Sequence, residues 1–173
     1  IQDLLEDDFA VFTATDGEAA LGLLEENDVA VIVSDQRMPG PSGDEFLERA
    51  SEISPASRIL LTGYADLNAL VQAVNKGRIY SYLSKPWEPA QLKMMIARAA
   101  EHYKLLRQIT YERDLLHALT DNIPDSIYFK DADLRFTRIN PAHTELLGVI
   151  APQEAIGKTD AHFLPEEYAR EAR

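Results

Sequence analysis

The sequence predicts an α/β fold: a doubly wound parallel sheet that runs into a long helix and then a small α+β module. Three observations predict it. Short β-type runs alternate with helical stripes through the first half of the chain. One of those runs, Val29-Ala30-Val31-Ile32-Val33, is continuously apolar and β-branched, as a strand covered on both faces should be. A long helical stretch then extends from about Glu88 to Asn122, and beyond it the pattern changes to two short strands around Asp131-Ala132-Asp133.

Taken in order, Ile1 to Asp8 reads as the tail of an amphipathic helix. Phe9 to Ala14 is a β-type run closed by Asp16-Gly17, and Glu18 to Glu26 is helical, with Ala20, Leu21 and Leu24 on one side. After Val29–Val33, the stripe Phe46, Leu47, Ala50 and Ile53 marks a helix ended by Pro55. Arg58 to Gly63 is the next strand, Leu67, Leu70, Val71 and Val74 the next helix, and Ile79 to Leu83 the last strand of the series. In the long helix Leu105, Ile109, Glu112, Leu116 and Leu119 step by four and three residues, a coiled-coil seam with one polar member, so parallel self-association of this helix is expected. Ser126–Lys130 and Arg135–Ile139 are strands, Asn140-Pro141 opens a helix ending near Leu147-Gly148, and a final helix is expected from Pro165.

Composition excludes several function classes. With 17 basic and 29 acidic residues among 173, the net charge is −12, the wrong sign for a nucleic-acid surface. No cysteine is present, which removes disulfides, cysteine-ligated zinc and thiol nucleophiles and fits a cytoplasmic location. No apolar run approaches the roughly 18 residues of a membrane span. His102, His117, His143 and His162 show no metal-ligand spacing. The absence of Met at residue 1 and the helical patterns at both ends make an internal piece of a longer protein the expectation.

Function in an open parallel sheet gathers at the carboxyl ends of its strands. Here those ends deliver Asp35, Thr62 and Lys85. A carboxylate, a hydroxyl and an ammonium converging on one edge make a phosphoryl site: the carboxylate as nucleophile, the other two binding the oxygens of the group it receives.

The surrounding motifs resemble those of the response-regulator receiver domain. Asp35-Gln36-Arg37-Met38-Pro39-Gly40-Pro41-Ser42-Gly43 resembles its phosphorylation loop, Leu60-Leu61-Thr62-Gly63 its switch-threonine strand, and Tyr82-Leu83-Ser84-Lys85-Pro86 its switch aromatic followed by Lys-Pro. The match covers about residues 1–104. The resemblance implies a sheet of flavodoxin-like receiver type. It implies that Asp35 accepts a phosphoryl group from a histidine kinase or phosphotransfer protein, that Thr62 and Tyr82 reposition afterwards, and that Lys85 contacts the phosphoryl group. It implies Mg²⁺ bound by Asp35 and the Arg37 backbone carbonyl, and makes Lys85-Pro86 a candidate cis peptide. Two departures stand out. The family's first strand and the acidic pair that follows it precede Ile1 in register, so a sheet lacking its first strand, and Mg²⁺ weak or absent here though expected in the intact parent, are the expectations. Asp7-Asp8 lies at the wrong edge to substitute. Pro41 stands where the family more often has a bulky apolar residue.

Residues 122–173 resemble the N-terminal half of a PAS domain, through Ile123–Asp131, Phe136–Ala142 and Ile156–Asp160. Its ligand is unknown from sequence. A cysteine-linked flavin is excluded, haem would have to use His143 or His162, and a ligandless module for dimerisation or signal transmission is the favoured reading. The expected domains are therefore 1–88, a receiver; 89–122, its last helix and a connecting signalling helix; and 123–173, a partial PAS fold. The expected function is phosphorelay signalling from Asp35 through the helix to the PAS module and an output domain beyond Arg173, with no enzyme, membrane or nucleic-acid role in this chain. The alternatives are a receiver-like docking module that turns over no phosphate, and an α/β enzyme using Asp35 on a small phosphoester.

Overall fold

A computed structural model describes residues 1–63 and 79–163. The chain divides into two compact units, Ile1–Gln108 and Ile109–Arg173. Two helices expected from sequence, that of Leu67–Val74 and that from Pro165, lie outside the described residues.

The first unit opens with a short helix, α1 (Gln2–Leu5), whose Leu5 is buried. Helix α2 (Gly17–Glu26) starts where the Asp16 carboxylate accepts a hydrogen bond from the Ala19 amide at 2.9 Å, which satisfies one of the free donors of the first turn. Strand β1 (Val31–Asp35) pairs in parallel with β2 (Ser57–Thr62), and β2 pairs in parallel with β3 (Ser81–Ser84). Helix α3 (Gly43–Ile53) joins β1 to β2. Two cores lie on the two faces of this sheet. Leu21, Ile32, Phe46, Leu47, Ala50 and Leu60 fill the α2–α3 side. Leu5, Ile59, Leu61 and Leu83 pack with Leu92, Ile96 and Ala99 of the long helix α4 (Pro89–Asp121) on the other. Leu47, Ile59, Leu60 and Leu92 are fully buried, each contributing about 1.5–3 kcal/mol by leaving water.

The expected strand Phe9–Ala14 is a correction. Its residues form no ladder with the sheet, which ends at β1 in the order β1-β2-β3. Phe9 and Val11 still pack against the α4-side core. A cleft of about 420 Å³ instead lies between Phe12–Thr15 and Val31–Asp35, floored by Ala20, Leu24 and Phe46 of the helices. An apolar run becomes a strand only when a neighbour takes its backbone groups. None of the described residues supplies one here: Gln2–Leu5 are helical and Glu6–Asp8 form a turn.

In the second unit β4 (Tyr128–Lys130) and β5 (Phe136–Ile139) pair antiparallel. The Asp131 carboxylate closes their turn by accepting from the amides of Asp133 and Arg135 at 3.0 and 2.9 Å. Helix α5 (Pro141–Leu147) has Asn140 as its cap, Pro141 in its first turn and Gly148 in the left-handed conformation at its end, φ 69°. Asn140, 2% exposed, does more than cap. Its Oδ1 accepts from Ile127 and His143, and its Nδ2 donates to the carbonyls of Thr120, Ile123 and Asp125. Phe136, Ile139, Leu147 and Ala155 form the core of the unit.

Candidate phosphoryl-acceptor site

The site grows from the ends of the three strands. Asp35 is the last residue of β1 and faces Leu61 in register, while Thr62 at the end of β2 faces Ser84 of β3. The ladder continues one step past the strands: the Gln36 amide donates to the Leu61 carbonyl and the Lys85 amide to the Thr62 carbonyl, both at 2.8 Å. Asp35, Thr62 and Lys85, each singled out from sequence, therefore occupy one row at one edge of the sheet.

The Lys85 ammonium donates to Asp35 Oδ2, and the Arg37 amide donates to Asp35 Oδ1 at 3.2 Å. The two side chains of the ion pair are 43% and 38% exposed, so water screens it and its separation costs about 0–1 kcal/mol. An incoming anion can replace the carboxylate as the partner of Lys85. Thr62 is buried, and its hydroxyl donates to the Gly63 carbonyl at 3.2 Å. Tyr82 is 45% exposed on β3, whose next residue, Leu83, points into the core. The Lys85-Pro86 peptide is cis.

The loop between Asp35 and α3 is held tightly. Gly40 sits at φ 86°, a region open mainly to glycine. A Cβ on Gly43 would stand 2.2 Å from the Asp35 carbonyl oxygen, so only glycine lets α3 start this close to the acceptor. The Gly43 amide donates to the Gln36 carbonyl at 3.0 Å, and Gln36 Nε2 donates to Asp44 Oδ1 at 2.7 Å. Burial pushes the Asp44 carboxyl up, but hydrogen bonds from the Ser42 and Gln36 side chains and from the Asp44 and Glu45 amides together hold the group below its ordinary value.

Among the described residues, the oxygen donors that the resemblance assigns to a hard cation are the Asp35 carboxylate and the Arg37 carbonyl. Among the described residues no three carboxylate or histidine side chains come together to hold a metal. With one carboxylate, already paired to Lys85, this donor set does not fit a resident Mg²⁺.

Sequence reasoning missed three polar clusters. Gln36 and Asp44, eight residues apart across a loop, carry no recognisable spacing signal. Tyr103 donates to Asp28, which Arg107 also pairs with at 3.4 Å, fixing α4 to the loop before β1. In the second unit Lys130 pairs with Asp160, each side chain 11% exposed, beneath the rings of Tyr128 and Phe136. His143 is buried beside them, with Nδ1 on the Ser126 hydroxyl and Nε2 unpartnered. Burial pushes its pKa down; the Asp160 charge opposes this and the Lys130 charge adds to it.

Comparison with known proteins agrees with the geometry. Residues 1–97 match the family described as response regulator receiver domain, and residues 120–173 match the PAS fold. The hydrogenase transcriptional regulatory protein HoxA of Cupriavidus necator is 40% identical over 98 residues, 56% of this chain and 20% of that protein. HoxA of Bradyrhizobium diazoefficiens is 35% identical over 109 residues, 62% of this chain and 22% of that protein. The chain thus spans about a fifth of the length of these relatives. Among solved structures, the signal receiver domain of an HD domain-containing protein from Pseudomonas fluorescens Pf-5 aligns with TM-score 0.58 and 37% identity, covering 62% of this chain and 80% of that one. A structure described as an adenylate cyclase from Rhodopirellula baltica aligns with TM-score 0.61 and 35% identity over 66% and 84%.

Proposed function

The chain belongs to the response-regulator receiver family, with a PAS fold after the receiver, and from that premise we propose that Asp35 is its phosphoryl acceptor. Membership supports two-component phosphorelay signalling. The finer reading rests on one observation above the others: the Asp35 carboxylate ends β1 with the Lys85 ammonium on one oxygen and a backbone N–H on the other, in the row that also holds Thr62. An Asp35 oxygen attacks the phosphorus of a donor, the bond to the donor's leaving group breaks, and Lys85 moves from the carboxylate to the new phosphoryl oxygens. Thr62 and Tyr82 then respond, changing the contacts of the β3 edge. The donor is a histidine kinase or phosphotransfer protein, and the setting is cytoplasmic; the described residues contain no helix long and apolar enough to cross a membrane. The α4 helix passes the change on, self-associating through Leu105, Ile109, Leu116 and Leu119. The PAS module transmits without a ligand of its own, and any enzymatic output belongs to other parts of the parent protein.

The rival is a docking module that turns over no phosphate, which a parent protein that also lacked the acidic pair would support. The deciding experiment incubates the parent protein and this chain with a small-molecule phosphodonor and Mg²⁺ and follows intact mass. The proposal expects labelling of the parent that vanishes in Asp35→Asn, with little labelling of this chain, where Lys85 supplies one positive charge against the donor. An unlabelled parent would overturn the acceptor reading and favour the docking module.

A further inference from the structure

We propose that Gln36 is a positioning residue for the acceptor, a role that rests on the reading of Asp35 above. Every polar group of Gln36 but one is committed to closing the loop that presents Asp35. Its amide ties the chain to β2 through Leu61, its carbonyl takes the Gly43 amide at the start of α3, and its Nε2 donates to Asp44. The residue is only 8% exposed. Arg37–Ser42 is thereby a loop with both ends pinned on one residue, and it is this loop that delivers the Arg37 amide to Asp35 Oδ1. Of the three ties only the Gln36–Asp44 bond is made by side chains; the close approach of α3 that it braces is the one that Gly43 permits.

The exception is Gln36 Oε1, which is buried with no hydrogen-bond partner. A buried orphan acceptor destabilises the fold it sits in. The side chain therefore gives the folded unit little net stability: its donor bond and its orphan acceptor work against each other. What remains is geometric. The bond fixes where α3 begins and so where the loop amide meets the nucleophile. Small displacements of a nucleophile have large effects on rate, because the reacting atoms must meet in line at close range.

The test uses the intact parent protein with a small phosphodonor, reading the labelling rate at saturating donor, the half-saturating donor concentration and the melting temperature. Gln36→Met removes donor and orphan together. It should label about tenfold more slowly, with half-saturation and melting temperature unchanged. Gln36→Glu sets two carboxylates against each other and should be slower still. Adding Asp44→Asn to it reverses donor and acceptor, rebuilds the bond and should restore the rate. An unchanged rate in Gln36→Met would overturn the proposal. So would a rate that falls only as the folded fraction falls, or a double variant no faster than Gln36→Glu. An unaltered parent that gains no mass, like its Asp35→Asn variant, would instead remove the acceptor reading, and the positioning role with it.

Discussion

The two halves of α4 are one helix by backbone and two different objects by chemistry. In the first half Leu92, Ile96, Ala99 and Tyr103 recur at steps of four and three and are all buried. In the second half Leu105, Ile109, Leu116 and Leu119 recur in the same steps and are 55–62% exposed. Leu105 lies two residues past Tyr103, about 200° around the helix. The second stripe is therefore not the first one continued but a separate face on the far side. Periodicity tells that a helix has an apolar face; it does not tell whether anything covers it. The boundary falls where Tyr103 and Arg107 meet Asp28, side-chain anchors of the helix within the first unit.

The sharpest way to break this contrast is truncation. Leu92→Ala should destabilise the first unit by about 2–5 kcal/mol, through lost burial and the cavity left behind. Leu116→Ala should cost under about 0.5 kcal/mol in dilute solution, as for an exposed site. Urea unfolding measures both, read for the first unit by Trp87, the single tryptophan, which packs on the same core as Leu92, and for the rest of α4 by helical circular dichroism. Equal effects would mean that the second stripe is covered after all.

Self-association sharpens the contrast further. Sedimentation of the chain at rising concentration should show a dimer that Leu116→Asp abolishes. Glu112→Leu should tighten it by roughly tenfold, since Glu112 is the one polar member of the seam. A chain that stays monomeric at the highest concentrations would leave the second face without a partner of its own kind.

A smaller effect separates the two units by pH. His143 has a folded pKa below its ordinary value, so the unfolded chain binds its proton more readily. Its contribution to the second unit is complete above the ordinary histidine value, near 6.5, and is lost as pH falls below that toward the folded pKa. Hydrogen exchange of β5 and α5 should accelerate from pH 7 to pH 5, once corrected for intrinsic rates, and His143→Gln should flatten the change. No acceleration would show that the imidazole charges in place without cost.

Much of this was legible in sequence because it is carried by local chemistry. Asp35, Thr62 and Lys85 lie at strand ends, and a parallel sheet brings strand ends together whatever the loops do. Asn140 and Pro141 announce the start of α5 by capping preference alone. The strand at Phe9–Ala14 misled because β pairing is a property of two segments and the sequence pattern reports one. Strands β1 and β3 begin two residues later than their apolar runs, since the ladder starts where the neighbour does. Gln36–Asp44, Asp28–Tyr103 and Lys130–Asp160 were invisible for a related reason: each joins polar residues that only the folded chain makes neighbours.

Asn140 has one further consequence. Its amide reaches the carbonyls of Thr120, in the last turn of α4, and of Ile123 and Asp125 just beyond, while its oxygen holds the entrance to β4 and the first turn of α5. A helix end would ordinarily fray. Here fraying would strip several partners from one buried side chain at once. The end of α4 and the start of the PAS module are thus keyed together: the last turn of the helix cannot open without unmaking bonds shared with the module's own strand and helix.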